Sequence, residues 1–327
     1  MIPEKIKKIL RKQHYFLVGE HSAVQICRWT KKSLRNEGAC YKEKFYGIKS
    51  HMCCQMTPAV VWCQNKCLHC WRAIEHTIGT EIKKEAPAKK IIDGCIEAQK
   101  KLLIGFKKSS KNRKQISKVD MKKWKEAQEP MQFAISLSGE PTLYKKIGEL
   151  IEELRRRKKT SFLVTNGLLP EKILELKEKK QLPTQLYVSV NSSNKEDYKK
   201  FHKSCEKNAW ERLNKTLEIL SSLNCRTIFR INLIKNLNMS EKNILEFSKL
   251  IKKSNPMFIE LKGFMSVGFA RQRLGYDKMP WHEDVLEFAR GLEKELKNEK
   301  YKILDEHERS CAVVLGKGKR ELKIKEI

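Results

Sequence analysis

The sequence predicts a parallel α/β fold built as a partial barrel of six strand–helix units. From about position 57, short apolar runs alternate with charged stretches of helical period, the pattern of a parallel sheet. Four of those runs also alternate polar with apolar side chains, so one face of the sheet is polar. A sheet covered by helices on both faces reads apolar throughout, and a closed small barrel is packed with branched apolar residues. A polar face therefore implies an open barrel with a wet, functional lumen. The alternatives are an open doubly wound sheet and a half-exposed antiparallel sheet, and the helical segments between the runs weigh against the latter.

The runs are 58–62 (PAVVW), 131–138 (MQFAISLS), 160–166 (TSFLVTN), 184–191 (TQLYVSVN), 226–234 (RTIFRINLI) and 257–262 (MFIELK). Along a strand, successive side chains face opposite ways. Ser136 and Ser138 thus share a face, as do Tyr187, Ser189 and Asn191; Arg226, Arg230 and Asn232; and Glu260 and Lys262. Between the runs, 143–158 and 209–223 read as helices. Residues 1–56 form a basic segment carrying Cys27, Cys40, Cys53 and Cys54; the barrel core is expected over 57–300, with 301–327 as an extension. The stretches 105–128 and 155–159 are strongly basic, fit either for a polyanion or as solvated faces.

Composition narrows the function. With 69 Lys+Arg against 39 Asp+Glu, the 327 residues carry a formal charge of +30, while 40% are hydrophobic. That is enough apolar material for a core, and the excess charge points to a polyanionic partner, nucleic acid above all. A lysine-rich composition without a partner is the plainer reading. No run approaches the roughly 18 apolar residues of a membrane span, and the basic N-terminus lacks a signal-peptide core. A cytoplasmic protein is expected. There, eleven cysteines, seven of them between positions 27 and 70, mean metal binding or catalysis rather than disulfides.

Cys63, Cys67 and Cys70 stand at C-x3-C-x2-C spacing directly after the first apolar run. Three thiolates ligate three irons of a cubane and leave the fourth open, whereas iron–sulfur clusters normally take four cysteines. Something else must complete the set. A zinc site would need a fourth ligand, His69 or Cys54. The open-iron pattern resembles the radical S-adenosylmethionine (SAM) enzymes, in which the amino and carboxylate groups of SAM fill the vacancy. Ser138-Gly139-Glu140-Pro141-Thr142 ends the second run and resembles the Gly-Gly-Glu element that grips the methionine ammonium in that superfamily. Thr165 and Asn166 end the third; Ser189 and Asn191 on the fourth are placed for ribose hydroxyls. Arg230 is suited to the methionine carboxylate, or equally to an ion pair with Glu260. Trp71 follows the third cysteine, where the superfamily often sets an aromatic beside adenine; core packing is its plainer role.

Cys27, Cys40 and Cys53 form a second trio at C-x12-C-x12-C. Thirteen residues advance a helix by about 220°, so the three must converge from separate segments. Together they suit a second open cubane; zinc with His51, or plain buried cysteines, are the alternatives.

The combination, with Phe45-Tyr46-Gly47-Ile48, Val164-Thr165-Asn166-Gly167 and Phe258-Ile259-Glu260-Leu261-Lys262, resembles the archaeal-type tRNA 4-demethylwyosine synthase family from the first residues to about position 300. The resemblance implies a radical SAM partial (βα)6 TIM-like barrel with an N-terminal auxiliary [4Fe–4S] segment, hence two clusters, plus SAM. It implies a lyase-type reaction that builds 4-demethylwyosine on N1-methylguanosine beside the anticodon of phenylalanine tRNA. A 5′-deoxyadenosyl radical takes a hydrogen from the N-methyl group, the carbon radical adds to pyruvate, the carboxylate fragment leaves and the ring closes. A base that reacts this way must leave its stack. Asn191 departs from the Asp common in the family. The flavin domain of eukaryotic relatives is not in this sequence, so a separate donor such as flavodoxin or ferredoxin is expected, with a monomeric enzyme. Pyruvate needs either a lysine Schiff base, for which Lys42 beside Cys40 is the candidate, or chelation to the open auxiliary iron. The negative charge of a thiolate cluster favours chelation, with Lys42 assisting. The rivals are another RNA-modifying radical SAM enzyme, methylthiotransferase-like, and a non-catalytic zinc-dependent RNA-binding protein.

Overall fold

Pro58 sets the end of the first parallel strand. Having no backbone N–H, it cannot continue a ladder, and in the computed structural model that strand is Cys53–Thr57, not the expected 58–62. Residues 58–62 form a buried turn instead: Ala59, Val60, Val61 and Trp62 are each at most 4% exposed. Their apolarity reports burial, not extended structure. The strand itself is disguised by Cys53 and Cys54, since a small thiol packs like an apolar side chain. The structure describes residues 2–106 and 119–324.

The chain forms two compact units, the first from residues 2–62, 80–106, 119–163 and 324, the second from 63–79 and 164–323. The boundary expected at 56/57 falls within the first and that at 300/301 within the second. In the first, α1 (Glu4–Lys12) buries Ile6 and Leu10 and turns its lysines outward. A hairpin, β1 (Phe16–Val18) and β2 (Ser22–Gln25), leads to the short helices α2 (Arg28–Leu34) and α3 (Tyr41–Tyr46). Then come β3 (Cys53–Thr57), α4 (Ala88–Leu103), α5 (Met121–Glu126), β4 (Gln132–Ile135), α6 (Ile147–Arg156) and β5 (Thr160–Thr165), the last leading into the second unit. β2 runs antiparallel to β1 and β3; β3, β4 and β5 are parallel, with Cys53 opposite Gln132 and Gln132 opposite Thr160. On α6 the buried residues Ile147, Leu150, Ile151 and Leu154 recur at helical spacing. Phe133 and Phe162 on the strands are fully buried, each contributing roughly 1.5–3 kcal/mol.

The second unit contains α7 (Pro170–Glu178), β6 (Gln185–Ser189), α8 (Lys195–His202), α9 (Ala209–Ile219), β7 (Arg226–Leu233), α10 (Glu241–Ser254), β8 (Phe258–Gly263), α11 (Ala270–Leu274), α12 (His282–Glu295), β9 (Lys302–His307) and β10 (Ala312–Gly316). β6, β7 and β8 are parallel, so each unit supplies three parallel strands. β10 then pairs antiparallel with both β8 and β9. The stretch read as an extension therefore contributes two strands, and β10 is buried along its whole length. The polar face is present: along β7, Arg226, Arg230 and Asn232 are half-buried while Thr227, Phe229, Ile231 and Leu233 are buried.

Two basic stretches fare differently. Residues 107–118 of the 105–128 segment lie outside the described residues, while its end folds as α5, where the Trp124 indole N–H donates to the Leu103 carbonyl. In 155–159, Arg156 and Arg157 pair with Glu153, Arg157 also with Asp93, and Lys159 with Glu129. Three carboxylates thus face Arg156, Arg157 and Lys159. No described helix is long and apolar enough to cross a membrane.

Candidate active site

The loop after the buried turn carries Cys63, Cys67 and Cys70, all half-buried. Its shape is fixed by main-chain bonds. The Cys63 N–H donates to the Gly79 carbonyl at 3.1 Å, and those of Lys66 and Leu68 to the carbonyls of His202 and Phe201, at 2.9 and 3.0 Å. The Asn65 N–H reaches the Cys63 Sγ at 3.4 Å. Arg273, on α11, spreads its guanidinium over the loop, donating to the carbonyls of Leu68, Cys70 and Arg72 and facing Glu75. One cation thus fastens the segment on both sides of the third cysteine. Gly268 makes this approach possible. It sits at φ +56, and a Cβ there would lie 2.4 Å from the Trp71 carbonyl, to which the Phe269 N–H donates at 2.9 Å.

The electrostatics disfavour free thiolates in this loop. Burial, then Cys63 and Cys70, push the Cys67 thiol well up, with Arg72 opposing. Arg72 is only 6% exposed. Burial alone would lower its pKa, but the charges of Cys63 and Cys70, the hydrogen bond to Cys70 and the charge of Cys67 more than offset this and raise it. A guanidinium this buried requires a negative partner, and the neighbouring sulfurs supply one only once deprotonated, as on binding a metal. Thiolates bound to iron meet that need. No trio or larger group of Cys, His, Asp and Glu is close enough to hold a single metal ion among the described residues. His69 also has other work: its Nε2 lies 3.3 Å from the Asn191 amide nitrogen, and its ring stacks on Phe201 at 4.9 Å. Burial, then Arg273 and Arg230, lower its pKa to about 4.

The same unit holds the strand-end residues of the third to fifth parallel strands and Trp71. Asn166 donates to the Gln64 side chain of the cysteine loop at 3.1 Å and accepts from the Leu168 N–H. The Thr165 hydroxyl accepts from the Gly167 N–H. Ser189 ends β6, half-buried. Asn191 is 5% exposed, and its side-chain oxygen accepts from the Asn232 N–H at 2.9 Å, so its amide already organises the loop. Arg230 lies 3.4 Å from the fully buried Glu260 and 5.9 Å from the Tyr187 ring centroid. The ion pair expected as an alternative is therefore present. Trp71 is half-buried beside the third cysteine.

In the first unit, Gly139 takes φ +71 and presses against the buried turn. The Glu140 N–H donates to the Trp62 carbonyl at 2.8 Å, and the Ser138 hydroxyl to that of Val60 at 2.9 Å. The Glu140 carboxylate, 2% exposed, accepts from the Thr142 N–H and hydroxyl at 3.1 and 2.6 Å. It is an aimed, buried acid.

The second trio also converges from separate elements, as its spacing requires. Cys27 precedes α2 and accepts from the Thr30 N–H at 3.4 Å; Cys40 precedes α3, its N–H bonded to the Ser50 hydroxyl; Cys53 opens β3. Burial, then Cys27, push the Cys53 thiol up; Lys42 opposes and Cys40 adds to the rise. Cys27, Cys40 and Lys42 therefore all act on the Cys53 sulfur. Lys42 is buried, its Nζ 4.9 Å from the Phe162 ring centroid. His51, the zinc alternative, is taken: its Nε2 lies 2.6 Å from Glu126 and its Nδ1 3.4 Å from the Ser33 hydroxyl. Cys54 alternates to the opposite face of β3 from Cys53, and burial, then Cys95 of α4, push its thiol well up. Sequence reasoning missed Arg72, Arg273 and His202. Only Arg72, two residues past Cys70, carried a local signal.

The family model described as "Radical SAM superfamily" matches residues 57–248, and "Wyosine base formation" matches 253–317. A tRNA 4-demethylwyosine synthase of Pyrococcus abyssi is 45% identical, with 96% of this chain and 89% of that protein covered. One from Methanocaldococcus jannaschii is 38% identical over 98% of this chain and 99% of its own. A structure of TYW1 with a lysine–pyruvate adduct bound superposes with TM-score 0.84 at 38% identity, covering 99% of this chain and 98% of the other. The fold is α/β, the radical SAM partial barrel, and with it come SAM and a [4Fe–4S] cluster as cofactors. The chain belongs to the S-adenosyl-L-methionine-dependent tRNA 4-demethylwyosine synthases, a family of radical SAM enzymes.

Proposed function

We propose that this enzyme forms 4-demethylwyosine from N1-methylguanosine beside the anticodon of phenylalanine tRNA, with pyruvate as the two-carbon donor, in a lyase-type reaction. The observation that carries the reading is the pair of cysteine trios, each with a buried basic side chain acting on its sulfurs: Arg72 at one, Lys42 at the other. We assign a [4Fe–4S] cluster to Cys63, Cys67 and Cys70 and an auxiliary one to Cys27, Cys40 and Cys53. The first cluster, when bound with SAM, supplies one-electron chemistry that generates a carbon radical on the substrate's methyl group. To SAM we assign Trp71, Ser138, Gly139, Glu140, Thr165, Asn166, Ser189, Asn191 and Arg230. Glu140 holds the ammonium by a charge-assisted bond.

Lys42 is assigned to pyruvate. Its amine adds to the ketone carbon, water leaves, and the resulting imine fixes the ketoacid beside the auxiliary sulfurs. Electrostatics read from the sequence favour iron chelation instead. The related TYW1 with its lysine–pyruvate adduct supports the lysine, and the buried position of Lys42 next to Cys53 suits it. The +30 charge supplies phosphate affinity for tRNA. The enzyme works as a cytoplasmic monomer, with flavodoxin or ferredoxin as electron source. Anaerobic incubation with N1-methylguanosine-containing tRNA, SAM, pyruvate and reductant, followed by nucleoside analysis, tests the reading. Appearance of 4-demethylwyosine supports it; a methylthiolated or unchanged nucleoside refutes it.

A further inference from the structure

We propose that His202 is a positioning residue for the cluster of the 63–70 loop, donating an Nδ1–H hydrogen bond to the Cys67 sulfur and thereby raising the cluster's reduction potential. The inference rests on the assignment of that cluster to Cys63, Cys67 and Cys70. His202 ends α8, is 3% exposed, and places Nδ1 3.2 Å from the Cys67 Sγ. Its Nε2 is buried and has no hydrogen-bond partner. The ring has little freedom to turn: Tyr198 stacks on it at 4.2 Å, while Phe201 and His69 meet it edge-on at 5.3 and 5.9 Å. The end of α8 is itself fastened to the cysteine loop, because the Phe201 and His202 carbonyls accept the Leu68 and Lys66 N–H groups.

A neutral imidazole carries one hydrogen and has two tautomers. With the hydrogen on Nε2, that buried donor is orphaned, and Nδ1 becomes a lone pair that needs a hydrogen from Cys67. An iron-bound thiolate has none to give, so two lone pairs would face each other at 3.2 Å. With the hydrogen on Nδ1, the sulfur receives a hydrogen bond and only an acceptor is left unpaired, the more tolerated orphan in protein interiors. Iron binding at Cys67 therefore selects the Nδ1–H tautomer. Hydrogen bonds to cluster sulfurs are one of the levers that set reduction potential, because they stabilise the more negative, reduced state.

The test uses the full-length holoenzyme, reduced and labelled with 15N-histidine. The signal to follow is the electron paramagnetic resonance signal that shifts when SAM is added. Pulsed measurement should detect a 15N coupling on it, lost in His202→Phe. The His202→Phe potential should fall so that the reduced-to-oxidised ratio at a fixed poise drops about tenfold, ~59 mV for one electron. His202→Asn, which restores an N–H near the Nδ1 position, should recover most of that shift. No histidine coupling in the wild-type enzyme, a coupling that persists in His202→Phe, or unchanged potentials in both loaded variants would overturn the proposal. Should His202→Phe fail to take up the cluster, the wild-type coupling and the Asn variant decide. Survival of the SAM-shifted signal in Cys67→Ala would instead refute the cluster assignment beneath it.

Discussion

Replacing Gly139 by alanine should disable SAM binding through a purely backbone effect. Gly139 holds φ +71, and an added Cβ would lie 1.7 Å from the Ala59 carbonyl oxygen and 2.8 Å from that of Trp62. Both obstacles are backbone atoms of a buried turn, so neither rotates away. Bringing the nearer contact to the 3.0 Å floor for real Cβ atoms demands a shift of about 1.3 Å. That shift breaks the 2.8 Å bond from the Glu140 N–H to the Trp62 carbonyl and re-aims the Glu140 carboxylate. The left-handed torsion costs roughly 1–2 kcal/mol and the lost hydrogen bond about 0.5–1.5 kcal/mol. A misplacement of 1 Å near reacting groups costs on the order of 10²-fold in rate. Gly19→Ala is the control: φ is +60 there, yet nothing lies within 4 Å of its Cβ, so only the torsional cost applies. Anaerobic SAM titration and thermal unfolding of both variants read the result. Wild-type SAM affinity in Gly139→Ala would refute the reasoning, as would equal loss of SAM affinity in Gly19→Ala.

Glu140→Ala should weaken SAM binding by about 1.5–3 kcal/mol, the range of a hydrogen bond to a charged group, and leave tRNA affinity nearly unchanged; equal losses in parallel titrations would contradict the assigned role. Arg273→Ala strips the cysteine loop of bonds to three carbonyls. Chelator challenge should then remove iron from the 63–70 site several-fold faster, while the auxiliary spectrum persists. Borohydride with pyruvate should trap an adduct that peptide mass spectrometry places on Lys42; a pyruvate-dependent change in the auxiliary spectrum without trapping would restore the chelation reading. tRNA affinity should fall steeply with salt through counterion release. Neutralising lysines within 105–128 should flatten the slope, and an unchanged slope would return that segment to a solvated face.

The sequence by itself determined the family, the parallel strands and both cysteine trios, because each is written in short-range terms. Spacing of the 63–70 thiols, period of apolar residues and strand-end Gly–Glu are all readable within a window of about ten positions, and the second trio within the segment from Cys27 to Cys53. Strand alternation even anticipated which side chains of β7 remain half-buried. The one misplaced strand shows the limit of that window: apolar residues after Pro58 looked extended, and the true strand was hidden by Cys53 and Cys54. Tertiary structure alone decided what surrounds the sulfurs. Arg273 acts on the loop through backbone carbonyls some 200 positions away, and a carbonyl leaves no residue-specific trace in the sequence. His202 reaches Cys67 across 135 positions because α8 ends where the loop needs two carbonyl acceptors. The commitment of Asn191 to Asn232 and of Arg230 to Glu260 arises from strand register, which fixes which polar groups face each other once the sheet forms.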